Sequence, residues 1–109
     1  MQIGIVGLGR MGAGMARRLA ERGMSVLCYD HAAGARGAIA GVKNIECVEN
    51  LAALCARLDG ERVVILMLPA GTPVDDTIRD LVPLMSAGDT IVDGGNSYYK
   101  DSMRRALAL

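Results

Sequence analysis

The stretch that decides the fold is Gln2-Ile3-Gly4-Ile5-Val6-Gly7-Leu8-Gly9-Arg10-Met11-Gly12-Ala13-Gly14-Met15-Ala16, continued by Arg17 to Gly23. Ile3 to Val6 is a short apolar run suited to a strand buried on both faces. The run breaks at Gly7-Leu8-Gly9-Arg10-Met11-Gly12, a G-x-G-x-x-G. A helical pattern follows, with Met11, Met15 and Leu19 four apart and Gly12, Ala16 and Ala20 on the neighbouring row. Gly23 falls where such a helix would end.

Each glycine has a physical reason to be there. Gly7 permits the tight turn out of the strand, Gly9 leaves the backbone open to close approach, and Gly12 lets helix and strand pack closely. The free N–H groups of the first helical turn and the positive end of the helix dipole then form a seat for phosphate. With 14 glycines in the chain the motif alone is weak, and a βαβ unit that binds nothing carries the same outline. Its context is stronger. A second strand, Met24 to Tyr29, ends in Asp30, 18 residues beyond Gly12. An acid is expected about there to hold the ribose hydroxyls of NAD.

At 109 residues the chain is expected to be one domain at most, residues 1–109. Hydrophobic residues make up 51% and mean hydropathy is +0.29, ample for a core. Tyr29, Tyr98 and Tyr99 are its only aromatics, so Leu, Ile, Val, Met and Ala must build that core and base-stacking platforms are not expected. Twelve basic and twelve acidic residues balance with no basic tract, against nucleic acid and anionic membranes as partners. No run spans a bilayer, the best being Val63 to Leu68, and no leader pattern precedes the first strand. A cytoplasmic protein is expected. Cys28, Cys47 and Cys55 are odd in number and lack metal-ligand spacing, which reads as buried thiols in a reducing compartment. With His31 the sole histidine, no histidine-centred metal or hydrolase site is expected.

Along the chain, His31 to Gly41 reads as a short, poorly formed helix with glycine breaks. Asn44 to Val48 reads as a brief strand. Asn50 is placed to cap a helix over Leu51–Leu58. Arg62 to Leu68 is the clearest central strand. Thr72 is expected to cap the next helix with Pro73 first inside it and Asp75 and Asp76 in its first turn, running to about Leu81. Asp89 to Asp93 is a further strand, emptying into Gly94-Gly95-Asn96-Ser97, with Ser97 capping a last helix from Tyr98. Alternating strands and helices predict an α/β, Rossmann-type doubly wound, mostly parallel sheet with helices on both faces. Ligands of such sheets bind beyond the strands' carboxyl ends. Gly7–Gly12, Leu68–Thr72 and Gly94–Ser97 should converge there, joined by Asp30.

Gly-Leu-Gly-Arg-Met-Gly-Ala-Gly-Met, from Gly7, resembles the cofactor motif of the β-hydroxyacid dehydrogenases. Asp93-Gly94-Gly95-Asn96-Ser97 followed by Tyr99-Lys100-Asp101, and the loop from Pro69 to Asp76, resemble the 6-phosphogluconate dehydrogenase family in particular. The likeness covers the whole chain. It implies oxidation of 6-phosphogluconate at its C3 hydroxyl, hydride transfer to nicotinamide, and loss of CO2 to give ribulose 5-phosphate. Separately, uncovered apolar surface leads to the expectation of a homo-oligomer. By the resemblance the cofactor contacts are Gly7, Leu8, Gly9, Arg10, Met11, Gly12, Asp30, His31, Leu68, Pro69, Ala70 and Asn96. Asn96 would also face substrate, since an amide both donates and accepts hydrogen bonds.

The departures carry information. Many NADP-using relatives have Asn-Arg-Thr where this chain reads Asp30-His31-Ala32. A carboxylate there suits the hydroxyls of NAD and repels a 2′-phosphate, so NAD is expected over NADP; Arg36 reads as a solvated surface arginine, with a fold back to a 2′-phosphate as the alternative. Pro69 replaces a lysine common in relatives, and Arg18 an asparagine. The family's Ser-Gly-Gly loop, catalytic lysine and glutamate have no counterpart in these residues. Lys43 and Lys100 do not match, and no catalytic base is assigned. The expectation is a cofactor-carrying N-terminal piece that does not turn over alone. A dehydrogenase with a 3-hydroxyisobutyrate-like substrate and a non-catalytic dinucleotide-binding module are the alternatives.

Overall fold

The structure, a computed structural model, describes residues 2–39, 41–68 and 72–93. In chain order these form β1 (Gln2–Val6), α1 (Arg10–Glu21), β2 (Ser25–Tyr29), α2 (Ala33–Ile39), β3 (Ile45–Cys47), α3 (Leu51–Arg57), β4 (Val63–Leu66), α4 (Thr72–Leu81), a 3-10 turn (Val82–Leu84) and β5 (Thr90–Asp93). The strands make one sheet of order β3-β2-β1-β4-β5, and every pairing is parallel. The expected doubly wound α/β architecture is the one observed.

The sheet is apolar because both its faces are covered. Ile3, Ile5, Val26 and Cys28 pack with Ala16, Ala20 and Ile39 under α1 and α2. Val6, Leu27, Val64, Leu66 and Ile91 pack with Leu54, Leu58, Val74, Ile78 and Leu81 under α3 and α4. A side chain such as Ile5, Leu54 or Leu66, with no exposed surface, contributes about 2 kcal/mol by burial. The sheet thus holds β1 between two cores and fixes where its carboxyl end emerges.

Helix α1 buries its small row, Gly12, Ala16 and Ala20. The larger Met15 and Leu19 flank that row, and Met11 is 66% exposed. Gly23 closes the helix at φ +89. Its N–H donates to the Ala20 carbonyl at 3.0 Å and the N–H of Met24 to the Leu19 carbonyl at 3.2 Å, the paired bonds of a Schellman turn. At α3, Asn50 caps as expected, accepting the Ala53 N–H at 2.7 Å.

Several expectations are corrected. Thr72 lies inside α4 rather than capping it, so Pro73 is the second helical residue, and Asp76 pairs with Arg79 on the helix surface. Within the His31–Gly41 segment, α2 runs unbroken from Ala33 to Ile39 across Gly34 and Gly37, because fully buried Ile39 anchors it to the core and packing overrides propensity. Cys47 is only half-buried. Strand β4 is shorter than Arg62–Leu68 at both ends. Arg62 instead turns to Asp89: its backbone N–H and its Nε donate to the two carboxylate oxygens at 2.7 and 2.9 Å. No described helix is long and apolar enough to cross a membrane. Residues 69–71 and 94–109, with Pro69, Ala70, Asn96, Ser97 and the expected last helix, lie outside the described residues.

Candidate functional site

At the carboxyl end of β1 the chain turns at Gly7, whose φ is +101. Its N–H donates to the Tyr29 carbonyl at 2.8 Å, tying the turn to the end of β2. A Cβ on Gly7 would come within 2.5 Å of the Met67 carbonyl oxygen and 3.0 Å of the Leu68 side chain, so the same turn lies against the exit of β4. A Cβ on Gly12 would sit 2.0 Å from the Gly7 carbonyl oxygen. Both positions are therefore closed to any larger residue by the protein's own backbone.

Gly9 differs. A Cβ there would meet nothing within 4 Å. It is the N-cap of α1 and has no side chain with which to satisfy the first turn. The first bond of the helix is the Ala13 N–H to the Gly9 carbonyl at 2.9 Å. The N–H groups of Arg10, Met11 and Gly12 have no acceptor among the described residues. Open space beside Gly9, unused donors and the positive helix end are what a diphosphate requires.

Asp30 closes the second side. Its carboxylate is 13% exposed. Oδ2 accepts the Leu8 N–H at 2.7 Å and Oδ1 the Ala32 N–H at 2.8 Å. One side chain thus joins the glycine turn to the start of α2, and its remaining lone pairs can accept ribose hydroxyls. His31 is 87% exposed, with Nδ1 3.6 Å from Asp30 Oδ1. Arg10 and Met11 are exposed at the mouth, Leu8 is buried and Leu68 half-buried. The structure thus brings Gly7–Gly12, Asp30, His31 and Leu68 to one corner. The Asp30–Leu8 bond was not foreseen; the spacing of the acid from the glycines was its only signal in the sequence.

A groove of about 390 Å³ lies at the opposite, amino end of the sheet, lined by Arg17, Glu21, Gly23, Lys43 and Asn44 among others. It shares no residue with this corner.

Over residues 2–109 the chain matches the family described as the NAD binding domain of 6-phosphogluconate dehydrogenase. The chain belongs to that family. It is 42% identical over 108 residues to an NAD(+)-dependent, decarboxylating 6-phosphogluconate dehydrogenase of Haloferax volcanii, covering 99% of this chain and 36% of that protein. It is 36% identical to an NADP(+)-dependent, decarboxylating form from Bacillus subtilis, over 95% of this chain and 23% of that protein. A Plasmodium falciparum 6-phosphogluconate dehydrogenase, described in apo form and in complex with NADP+ and with 6-phosphogluconate, superposes at TM-score 0.84 with 27% identity, over 96% of this chain and 24% of that one. The chain spans about a third or less of the length of these relatives. As a 6-phosphogluconate dehydrogenase NAD-binding domain, it has the fold and family that the sequence led us to expect.

Proposed function

We propose that this chain is the cofactor-binding part of an enzyme that oxidises and decarboxylates 6-phosphogluconate to ribulose 5-phosphate, using NAD in preference to NADP. The observation that carries the reading is the Asp30 carboxylate drawn against the glycine turn through the Leu8 N–H. It sets a negative group for sugar hydroxyls beside free amides for phosphate. In this reading Gly7, Leu8, Gly9, Arg10, Met11 and Gly12 receive the diphosphate, Asp30 and His31 flank the adenosine ribose, and Leu68, Pro69 and Ala70 line the cofactor. Asn96 reaches between nicotinamide ribose and substrate.

The nicotinamide, when bound, supplies the hydride acceptor. The residues of this chain contribute position: amides neutralise the diphosphate, and the acid selects a free 2′-hydroxyl over a phosphate. No residue here is assigned the proton abstraction, so turnover is expected only from the longer protein. The domain assignment, 1–109 as one cofactor-binding unit, belongs to the same reading, as does assembly into a homo-oligomer. The free thiols at Cys28, Cys47 and Cys55 fit a reducing, cytoplasmic setting. Calorimetric titration with NAD, NADP and ADP tests the proposal. NAD should bind, and more tightly than NADP; absence of binding by all three ends it.

A further inference from the structure

Resting on the reading of this corner as a dinucleotide seat, we propose that His31 is a specificity-determining residue through which pH sets how well the seat accepts a 2′-phosphate on the adenosine ribose. Its imidazole Nδ1 stands 3.6 Å from Asp30 Oδ1, and its side chain is 87% exposed where that of Asp30 is 13% exposed. A ribose oxygen bonded to Oδ1 is therefore within about 6.5 Å of that nitrogen.

The carboxylate and the imidazole act in opposite senses. Asp30 has both oxygens held by backbone amides, from Leu8 and Ala32, so it cannot swing away from an incoming phosphate. Its charge opposes a phosphate dianion at every pH where it is ionised. The imidazole is not hydrogen-bonded to it at 3.6 Å and is free to turn outward. Histidine is the side chain that changes charge between pH 5 and 8. Neutral, it leaves the repulsion of Asp30 unopposed; protonated, it cancels one unit of that charge and offers an N–H to a phosphate oxygen.

Guanidiniums and carboxylates carry the charge on the neighbouring elements. Arg10 opens α1 and Arg36 lies in the last turn of α2. As guanidiniums they attract phosphate equally at all these pH values. Glu46 of β3 is paired with Arg57, and Glu49 follows on the exposed loop. Among the described residues only Asp30 lies within ion-pair distance of the imidazole. A phosphate monoester itself takes up a second proton near pH 6, so the gain flattens below about pH 6.

Linkage makes the effect reciprocal: if protonation favours the 2′-phosphate, the 2′-phosphate favours protonation by the same factor. His31 is the only histidine of the chain, so one set of imidazole NMR signals reports its titration directly. The test follows those signals in the 109-residue chain from pH 8.5 to 5.5, saturated in turn with NAD and with NADP. Binding of both nucleotides is measured at each pH in the chain and in His31→Gln. The expected result is a higher titration midpoint with NADP than with NAD. The preference for NAD should shrink about three- to tenfold from pH 8 to 6, and H31Q should lose the part of that slope that the 2′-phosphate's own protonation near pH 6 does not supply. If NAD binds but the midpoint is the same with both cofactors, or H31Q keeps the full slope of the parent, this proposal is overturned and the dinucleotide reading stands. If neither nucleotide binds, both fall.

Discussion

The backbone N–H of Leu8 donates to Oδ2 of Asp30 at 2.7 Å across 22 residues of chain. The bond couples the shape of the glycine turn to the acid that faces it, so the two halves of the seat cannot be altered separately. Asp30→Asn places an amide where an ionised acceptor had been. A charge-assisted bond of this kind is worth about 1.5–3 kcal/mol, so NAD affinity should fall about tenfold or more. Hydrogen exchange at the Leu8 amide should quicken. Unchanged NAD affinity in D30N would take Asp30 out of the site.

The glycines separate stability from binding. Gly9→Ala adds a methyl into open space at φ −67, which any residue adopts, so thermal unfolding should move by less than about 1 kcal/mol. Binding of NAD should drop sharply, because the methyl occupies the approach to the amides. Gly12→Ala drives a methyl into the Gly7 carbonyl and should lower stability by about 2 kcal/mol or more. Calorimetry with paired melting curves reads both. A G9A protein that binds NAD as well as the parent would show that the open space has no ligand.

Asp89 and Arg62 pin the amino ends of β4 and β5, with side chains only 4% and 16% exposed. Burial pushes the Asp89 carboxyl up. The N–H groups of Arg62 and Ser86, then the Arg62 guanidinium, outweigh this and hold it below its ordinary value. A lowered folded value means the stabilisation is fully present above the unfolded value of about 3.9. It is lost as pH falls through the folded one. Denaturant melts should therefore be flat in this contribution near neutrality and weaken on acidification below about pH 4. Asp89→Asn should lose about 3 kcal/mol at pH 7 and show a shallower acid limb; an acid limb identical to the parent's counts against the assignment.

The thiols should react unequally. Burial, with Cys47 adding to it, pushes Cys28 up to about 12, and burial also raises Cys55. Cys47 is raised by burial and lowered in part by Arg36, and it is only half-buried. A disulfide reagent at pH 8 should modify Cys47 first and the other two at the rate of unfolding. For Cys28 the folded value exceeds the unfolded one, so its contribution to stability is present below about pH 8.5 and declines as pH climbs towards 12. Equal labelling rates at all three positions would contradict the burial described.

Most of the frame was legible because its signals are local. Apolar runs marked β1, β2 and β4, Asn50 marked the start of α3, and the glycines marked the turn after β1. What escaped depends on contacts between distant segments. Periodicity in α1 offered two adjacent rows, and only the closeness of Gly12 to Gly7 decides that the small row is buried and Met11 is left outside. The composition of α2 argues against a helix until Ile39 finds its place under the sheet. Arg62 and Asp89 stand at the starts of separate strands, 27 residues apart, and nothing in either neighbourhood announces their pairing. At the site, spacing indicated Asp30, but its hold on Leu8 required the register of β1 against β2.

Strand β1 is made first and sits in the middle. Its register with β2 is complete once Tyr29 exists, but its other edge waits for Leu66. At ordinary translation speeds of 5–20 residues per second, those intervening residues take about 2–7 s to appear. For that interval the growing polypeptide carries Ile5 and Val6 on an unpaired edge, with α4, which helps to cover Val6, not yet synthesised. A nascent-chain chaperone would have its clearest foothold there, before any nucleotide could find a finished seat.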